Sequence, residues 1–231
     1  MVTRNSEEII QNNIEVMGES PGMLHYHAVN EWCDLHLIWK QFSNLFCKGK
    51  ERVDLLNRCG ANFFYTVDRL FFQAAILSIC RLSDPTRTLG KSNLTVLSYA
   101  DIVSADDKSE IDALLDDLKT KTEFARDWRN RHIGHNDLAL LLGTSAPLKE
   151  ATIDDVENSI DAIFAVINFV QMKFFGNAIH NVVVDSLNNE MATLNRLFHG
   201  DKAHHTRMEN LRNHIDTPND EPKWLSNSSI D

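Results

Sequence analysis

The sequence predicts an all-α protein, a bundle of about four or five main helices. Glycine and proline are few, 9 and 5 in 231 residues, and strand-like alternation of apolar and polar residues is almost absent. Apolar residues recur instead at helical spacing over most of the chain. Hydrophobic residues make up 43% and charged residues 24%, which is typical of a chain that can bury a real core.

The first half of the chain predicts three helices. Residues 6–18 form at best a short amphipathic helix, and the Pro-Gly pair at 21–22 opens a second helix that ends near residue 47. Gly49 separates it from a longer helix over about residues 50–82. That helix is apolar around most of its circumference, so we expect it to be the central and most buried one.

The segment SDPTRTLGKSNLT (83–95) interrupts the helical pattern, since Asp-Pro and Gly90 are typical of loops. A short helix over about 95–103 follows, and then a long one over about 105–133. The long helix carries acidic residues in its first half and basic residues in its last turns, which complements the helix dipole. Gly134 stands where a C-terminal stop is expected.

The last third predicts a loop and two further helices. TIDD (152–155) is a capping box with Thr152 as N-cap, and the helix behind it extends to about residue 175. Another helix is expected over 178–198. We therefore predict an N-terminal extension over 1–19, a helical domain over 20–198 and a polar, mobile tail over 199–231. Trp224 in this tail is a candidate docking anchor.

Composition and charge narrow the classes of function. The formal net charge of −10 argues against broad nucleic-acid binding through an extended basic face, but it leaves room for a small local phosphate site. The N-terminus lacks the pattern of a signal peptide, and the apolar stretches are too short or interrupted to span a bilayer. We expect a cytoplasmic protein without membrane contact.

Metal sites and cofactor motifs are not indicated. The four cysteines, Cys33, Cys47, Cys59 and Cys80, are widely spaced and lie among apolar neighbours, as reduced core cysteines do. Histidines such as His25 and His27 lack the ExxH or HExxH spacing of metal ligands. We found neither a Gly-rich phosphate loop nor a Ser-His-Asp arrangement, and we predict no cofactor.

The stretch RDWRNRHIGHND (126–137) gathers three arginines and two histidines at the predicted helix end. On a wheel of 100° per residue, Arg129 falls in the middle of the apolar stripe with His132 beside it, Arg126 lies on one edge, and Arg131 points away. A buried guanidinium stays charged, so Arg129 needs a carboxylate, a set of carbonyls or a phosphate.

Two interpretations of this stretch stay open. In the structural one, the cations stabilise the helix end, and Arg129 pairs with a carboxylate on a neighbouring helix. In the functional one, Arg129 grips a phosphate while His135, beyond Gly134, takes or gives a proton, with Asn130 as a neutral donor and acceptor. Such a set supports metal-free phosphodiester cleavage in which the RNA 2′-hydroxyl is the nucleophile.

RNRHIGH (129–135) resembles the R-x4–6-H motif of the HEPN superfamily, in the form where Asn follows the Arg. LIWKQFSNLF (37–46), ERVDLLNRCGANFF (51–64) and ICRLSDPTRTLGKSNLT (79–95) resemble the abortive-infection, AbiU-type branch. The resemblance covers about residues 25–200. It implies a dimerising helical bundle whose Arg-His pairs face each other in a composite site. Many such proteins are metal-independent ribonucleases of toxin–antitoxin and abortive-infection systems, whereas others only bind.

By motif match, Arg129, Asn130 and His135 are the predicted catalytic residues. Arg126, Arg131 and His132 are predicted RNA contacts, and Arg126 with His132 forms an alternative R-x5-H pair. The predicted partners are RNA, a second copy of the chain and a cognate antitoxin protein. The alternative is a non-catalytic HEPN module that binds RNA, nucleotide or a partner protein.

Two nearby acidic residues complete the predictions. Asp84, in the RLSDP block, is expected to cap the turn before Pro85 and to pair locally with Arg81, although both could instead line the site. Asp137 either orients His135, as carboxylates orient catalytic histidines, or is an exposed loop acid, the second being favoured.

Overall fold

The computed structural model describes residues 5–135, 137–181 and 189–215, and it confirms the all-α class. The helices in this part of the chain are α1 (Ser6–Met17), α2 (Glu19–Phe42), α3 (Lys50–Ser83), α4 (Lys108–Lys121), α5 (Glu123–Trp128), α6 (Leu138–Leu141), α7 (Ile153–Phe175) and α8 (Asn189–Arg212). Two π-helical turns, Ser43–Cys47 and Arg129–Ile133, follow α2 and α5, and a 3-10 helix spans Val96–Asp101. Strands β1 (Arg87–Thr88) and β2 (Lys91–Ser92) form a small antiparallel hairpin, with Arg87 opposite Ser92.

The chain divides into two compact units. The first lies within Met1–Ser43 and Thr66–Leu187, and the second within Asn44–Tyr65 and Asn188–Asp231. The boundaries at 43/44 and 65/66 fall inside helical segments rather than in Pro- or Gly-rich linkers. The residues of the opening stretch, 126–137, belong to the first unit.

Helix α7 supplies the core of the first unit. Its predicted apolar stripe is buried at Val156, Ile160, Ile163, Ile167 and Val170. The Trp32 side chain on α2 is only 1% exposed, and its ring lies 5.0 Å from that of Phe164. The helix begins at the predicted capping box, since the Thr152 hydroxyl accepts from the Asp155 amide at 3.1 Å and an Asp155 carboxylate oxygen accepts from the Thr152 amide at 2.9 Å.

Helix α3 begins and ends where predicted, but the expectation that it is the most buried helix is wrong. Ile76 and Ile79 are fully buried, whereas Phe63, Tyr65 and Leu70 are 66%, 66% and 53% exposed. A helix that is apolar on all sides is fully buried only when neighbouring elements cover every side. The spacing of apolar residues in the sequence does not show how many elements pack on the helix. α3 is also long and apolar enough to cross a membrane. This is only weak evidence for a membrane span, because the core helices of soluble proteins can have the same length and composition.

Helix α1 packs closely on the start of α2. The buried Gly22 lies so near the α1 backbone that a Cβ there would be 2.6 Å from the Asn13 carbonyl carbon and oxygen. The N-terminal capping box, Asn5 with Glu8, fixes the start of α1. Residues 6–17 therefore belong to the first unit and pack on the start of α2 through a close backbone approach.

The predicted long helix over 105–133 is split into three parts. α4 ends at Lys121, α5 occupies Glu123–Trp128, and the chain then widens into the π turn Arg129–Ile133. At the junction, the buried Thr122 hydroxyl donates to the Leu118 carbonyl at 2.8 Å, a local bond that competes with regular helical bonding.

In the second unit, α8 extends through residues that we expected to be a tail. It runs to Arg212, and Arg58 forms an ion pair with Asp201 at 2.9 Å. Residues 199–212 are thus helical, so the boundary predicted at residue 198 does not mark a helix end. Of the helix predicted over 178–198, residues 182–188 lie outside the described part, as does Trp224.

Candidate active site

The π turn Arg129–Ile133 shapes the centre of the opening stretch. Its defining bond joins the Gly134 amide to the Arg129 carbonyl at 2.7 Å, five residues apart. Gly134 caps the end of this turn, as predicted for a C-terminal stop, and it does so with a right-handed φ of −81°. The lack of a side chain at Gly134 also matters for packing, because a Cβ there would lie 3.0 Å from the Arg129 carbonyl oxygen.

Arg129 pairs with a carboxylate of its own chain. Its Nη1 donates to Oδ2 of Asp84, directly after α3, and its Nε donates to Oδ1 of Asn130 at 3.1 Å. The Arg129 and Asp84 side chains are 27% and 20% exposed, so this pair is half-buried. The expected local pairing of Asp84 with Arg81 is wrong, because Arg81 pairs with Glu31 at 3.2 Å.

Asp84 keeps one carboxylate oxygen free. Its Oδ1 is buried and has no hydrogen-bond partner among the described residues. A buried acceptor without a donor is unfavourable, so this oxygen remains available to a donor that arrives with a ligand or a partner. The Arg129 hydrogen bonds to Asn130 and Asp84 use Nε and Nη1, and Nη2 makes no hydrogen bond within the described part of the chain.

Arg126 fastens α5 to the end of α3. Its Nη1 donates to the Ser83 carbonyl at 3.2 Å and to the Ser83 hydroxyl at 3.3 Å, and its Nη2 donates to the Lys119 carbonyl at 2.7 Å. Ser83 immediately precedes Asp84. Two arginines three positions apart therefore hold consecutive residues of the RLSDP block in place.

Arg131 does not point away from the protein, and that expectation from the wheel is wrong. Its guanidinium donates to Asp127 at 3.3 Å, to the Ser145 hydroxyl at 2.9 Å and to the carbonyls of Ala146 and Pro147. Its Nε also lies 3.5 Å from an Asp137 carboxylate oxygen. Since a π turn spreads more residues over each turn than an α-helix, the 100° spacing behind the prediction does not hold here.

The two histidines of the stretch are both exposed. His132 packs edge-on against Trp128, with ring centroids 5.5 Å apart, and Trp128 Nε1 donates to the Lys149 carbonyl at 2.8 Å. His135 follows the turn, and its carbonyl accepts from the Asp137 amide at 3.0 Å. Asp137 caps α6 through the Ala139 amide at 2.9 Å, so its carboxylate is committed to the loop rather than to the His135 ring.

A comparison with protein families matches the HEPN AbiU2 model over residues 23–192, about three quarters of the chain. The chain belongs to this family. It is an abortive-infection-related HEPN domain, and the all-α bundle agrees with that assignment. No curated protein and no solved structure matches the chain.

The HEPN match contains every predicted site residue. Arg129 and Asn130 share the π turn and contact each other, and His135 follows two residues after the turn. The contact that sequence reasoning missed is Asp84 with Arg129, which joins two family-like motifs 45 positions apart. The sequence carries a signal for this contact, because an arginine in the apolar stripe requires an acceptor and the RLSDP block belongs to the same family resemblance.

The thiol nearest these arginines is not a ready nucleophile. Cys80 is buried, and burial raises its pKa to about 11 although Arg129, Arg126 and Arg81 favour the thiolate. Within the described ranges, no group of three or more metal-ligating side chains is assembled in this HEPN domain. The structure thus joins the Arg129 guanidinium to a carboxylate and a carboxamide, whereas in the described part of the chain no hydrogen bond or ion pair joins it to the ring of His132 or His135.

Proposed function

We propose that the protein is a cytoplasmic, metal-independent endoribonuclease of a toxin–antitoxin or abortive-infection defence system, cleaving RNA with Arg129, Asn130 and His135. The observation that carries the proposal is the held arginine. Asp84 and Asn130 fix the Arg129 side chain at a half-exposed position, beside a turn that leads to an exposed histidine. A pre-positioned guanidinium suits a phosphate whose negative charge increases during reaction.

In the proposed reaction, the 2′-oxygen of one nucleotide attacks its own 3′-phosphorus. The 2′-O–P bond forms and the P–O5′ bond breaks, which yields a 2′,3′-cyclic phosphate and a 5′-hydroxyl. A base removes the 2′-hydroxyl proton, an acid protonates the leaving 5′-oxygen, and Arg129 stabilises the charge on the phosphorane. An imidazole can both accept and donate a proton, so His135 suits either proton transfer.

The reaction needs an acid and a base, whereas the motif supplies one histidine per chain. We therefore propose that a second copy of the protein contributes its own His135, in a homodimer with a composite site. Arg126, Arg131 and His132 are secondary in this scheme. The contacts of Arg126 and Arg131 position the turn and the loop, whereas His132 is free to approach RNA.

A non-catalytic HEPN module is the second candidate, and the Asp84–Arg129 pair also favours it. A guanidinium already neutralised by a carboxylate attracts a phosphate less strongly than a free one. In this alternative the protein binds RNA, a nucleotide or an antitoxin-like partner and leaves the phosphodiester intact.

Cleavage of a fluorescent single-stranded RNA by the purified protein separates the two candidates. We expect cleavage in EDTA, no cleavage when the nucleotide 5′ of the scissile bond is 2′-deoxy, and a loss of at least 100-fold in Arg129→Ala and His135→Ala. His27→Ala, an exposed histidine elsewhere, is the control and should cleave as wild type. A metal requirement, or full activity in His135→Ala, would overturn the ribonuclease proposal.

His132→Ala resolves the ambiguity between the two possible R-x5-H pairs. If Arg129 and His135 are the working pair, His132→Ala retains most of the activity. If instead His132→Ala is inactive and His135→Ala is active, the pair is Arg126 with His132, although Arg126 is bound to Ser83 and Lys119.

A further inference from the structure

The hairpin of β1 and β2 (residues 85–93) begins directly after Asp84, the carboxylate that holds Arg129. Asp84 and Arg87 are three positions apart, so at most about 11 Å separates their Cα atoms. The hairpin therefore lies beside the candidate active site and in the same unit of the chain. It belongs to the sequence block that resembles the AbiU-type branch, and the proposed cleavage reaction gives it no role.

Hydrogen bonds from one residue hold the hairpin in a single shape. The Asn93 side chain donates to the Pro85 carbonyl at 2.7 Å and to the Thr88 hydroxyl at 2.8 Å. The Asn93 amide also donates to the Thr86 carbonyl at 3.0 Å. The hairpin is thus pre-formed, and a ligand that binds it does not have to order it first.

The tip of the hairpin carries a leucine in an unfavourable backbone conformation. Leu89 and Gly90 form the two-residue turn, and both have a positive φ, 51° and 79°. Glycine adopts such angles freely, and Asn or Asp is usual at the first position of such a turn, whereas leucine is disfavoured there. The Leu89 side chain is also 98% exposed, so it contributes nothing to the core. An exposed apolar side chain at a strained position indicates a contact that forms only with a ligand.

Two cations flank this leucine, one on each face of the hairpin. Arg87 pairs with Ser92, and Thr88 pairs with Lys91. Because successive side chains of a strand alternate between faces, Arg87 and Lys91 lie on opposite faces. Both side chains are exposed and form no ion pair or side-chain hydrogen bond in the described part of the chain. Residues 85–93 contain no carboxylate, so the hairpin is a local positive surface on a chain whose formal net charge is −10.

We propose that a single strand of RNA crosses the tip of this hairpin on its way to the candidate active site. Arg87 and Lys91 bind phosphates on the two sides of the tip, and Leu89 packs between two neighbouring bases, as apolar wedges do in nucleic-acid complexes. Leu89 thus sets the distance along the strand between this base step and the scissile phosphate at Arg129. The inference rests on the proposed function, since it assigns to the hairpin the positioning of that same substrate.

The order of cation, apolar side chain and cation fits a nucleic-acid strand better than an acidic protein. A strand repeats phosphates and flat base faces at a short spacing, so it offers partners to all three side chains at once. The neighbouring Arg129 is proposed to hold a phosphate of the same strand. One ligand therefore accounts for the three arginine and lysine side chains on this side of the molecule.

The test measures RNA binding separately from cleavage, with the full-length protein. Binding is followed by fluorescence anisotropy with a single-stranded 2′-O-methyl RNA, which has no free 2′-hydroxyl and is not cleaved. We expect Leu89→Asn to weaken binding about 5-fold or more, because an apolar contact is lost. The Tm of this variant should equal or exceed that of wild type, since Asn suits the turn. Leu89→Met, which keeps an apolar side chain, should bind as wild type.

Arg87→Gln and Lys91→Gln test the phosphate contacts. Each should weaken binding and lower the slope of log Kd against log salt concentration by about 1, the value for one phosphate contact. Lys202→Gln, at an exposed lysine of α8 in the second unit, removes the same charge and should change neither quantity. In cleavage assays, Arg87→Gln and Lys91→Gln should raise KM and leave kcat close to wild type, because they do not touch the reacting groups.

Unchanged RNA affinity in Leu89→Asn, Arg87→Gln and Lys91→Gln would overturn the inference and leave the hairpin as a surface for an acidic protein. If these variants bind as wild type while His135→Ala no longer cleaves, the ribonuclease proposal stands without a role for the hairpin. If they bind weakly while the wild type cleaves no RNA, the ribonuclease proposal fails and the hairpin serves an RNA-binding module. Absence of RNA binding by the wild type at low salt would overturn both.

Discussion

Asp84 and Arg129 form a half-buried ion pair that joins the end of α3 to the π turn after α5. Because each side chain is about three quarters removed from solvent, the pair is shielded more than a surface salt bridge and less than a core one. We expect a coupling free energy of about 1–2 kcal/mol, between the ranges for those two classes. A double-mutant cycle with Asp84→Asn and Arg129→Gln in urea unfolding measures it, and a coupling near zero would contradict the pair.

The Asp84–Arg129 pair also leads to a prediction about RNA cleavage, which rests on the proposed ribonuclease function. Without the Asp84 carboxylate, Arg129 loses the partner that holds its Nη1, so the guanidinium samples other rotamers. We expect Asp84→Asn to lower RNA cleavage at least 10-fold at temperatures where the variant is fully folded. Lys119→Gln, whose side chain makes an exposed i,i+3 pair with Asp116, is the control and should change little.

Arg131 is expected to matter for stability rather than for RNA. Its guanidinium contacts the carboxylates of Asp127 and Asp137, the Ser145 hydroxyl and the carbonyls of Ala146 and Pro147. Its loss therefore leaves two carboxylates, a hydroxyl and two loop carbonyls without this donor. We expect Arg131→Ala to lower the free energy of unfolding by about 1–3 kcal/mol. The matched His132→Ala, one residue further, should stay within about 0.5 kcal/mol of wild type. Equal stability of the two variants would contradict this role.

We predict that position 22 has no room for even one methyl group. A Cβ would meet the α1 backbone at 2.6 Å, and backbone cannot move aside as a flexible side chain does. We expect Gly22→Ala to cost about 1–3 kcal/mol, the range for overpacking, measured by urea unfolding. Gly200→Ala in α8, where nothing lies within 4 Å, is the control and should gain up to about 1 kcal/mol from helix propensity.

The buried His25 predicts a loss of stability in mild acid. Burial lowers its pKa from the ordinary value of 6.5, so below pH 6.5 the unfolded chain binds protons that the folded chain does not. Stability is fully present above pH 6.5 and declines as the pH falls toward the folded-state pKa. We expect the Tm to fall between pH 7.5 and pH 5.5, and to fall less in His25→Gln.

His36 contributes to the same pH dependence, because burial also lowers its pKa. The single variant His36→Gln therefore separates the two histidines. The carboxylates whose pKa is lowered, Asp107, Glu123 and Asp155, act at more acidic pH. An unchanged pH slope in both histidine variants would show that neither imidazole governs stability in this range.

The sequence by itself determined the helical class, most helix boundaries and the membership in a defence-related family. Those features depend on interactions within a few residues: the period of α7, the Thr152–Asp155 capping box, and the break at Gly49. The predicted motif of Arg129 and His135 is also local, so one sequence was enough to suggest it.

Only the tertiary structure decided what surrounds those residues. It paired Arg129 with Asp84 across 45 positions, bound Arg131 to the loop at 145–147, and left much of the middle of α3 exposed. It also placed Asn13 and Gln171 around one cavity. The physical reason is that burial and partnership depend on which elements meet in space, whereas periodicity fixes only the face of its own helix. Where the helix changes to a π turn, even that face is no longer set by the period of 3.6 residues.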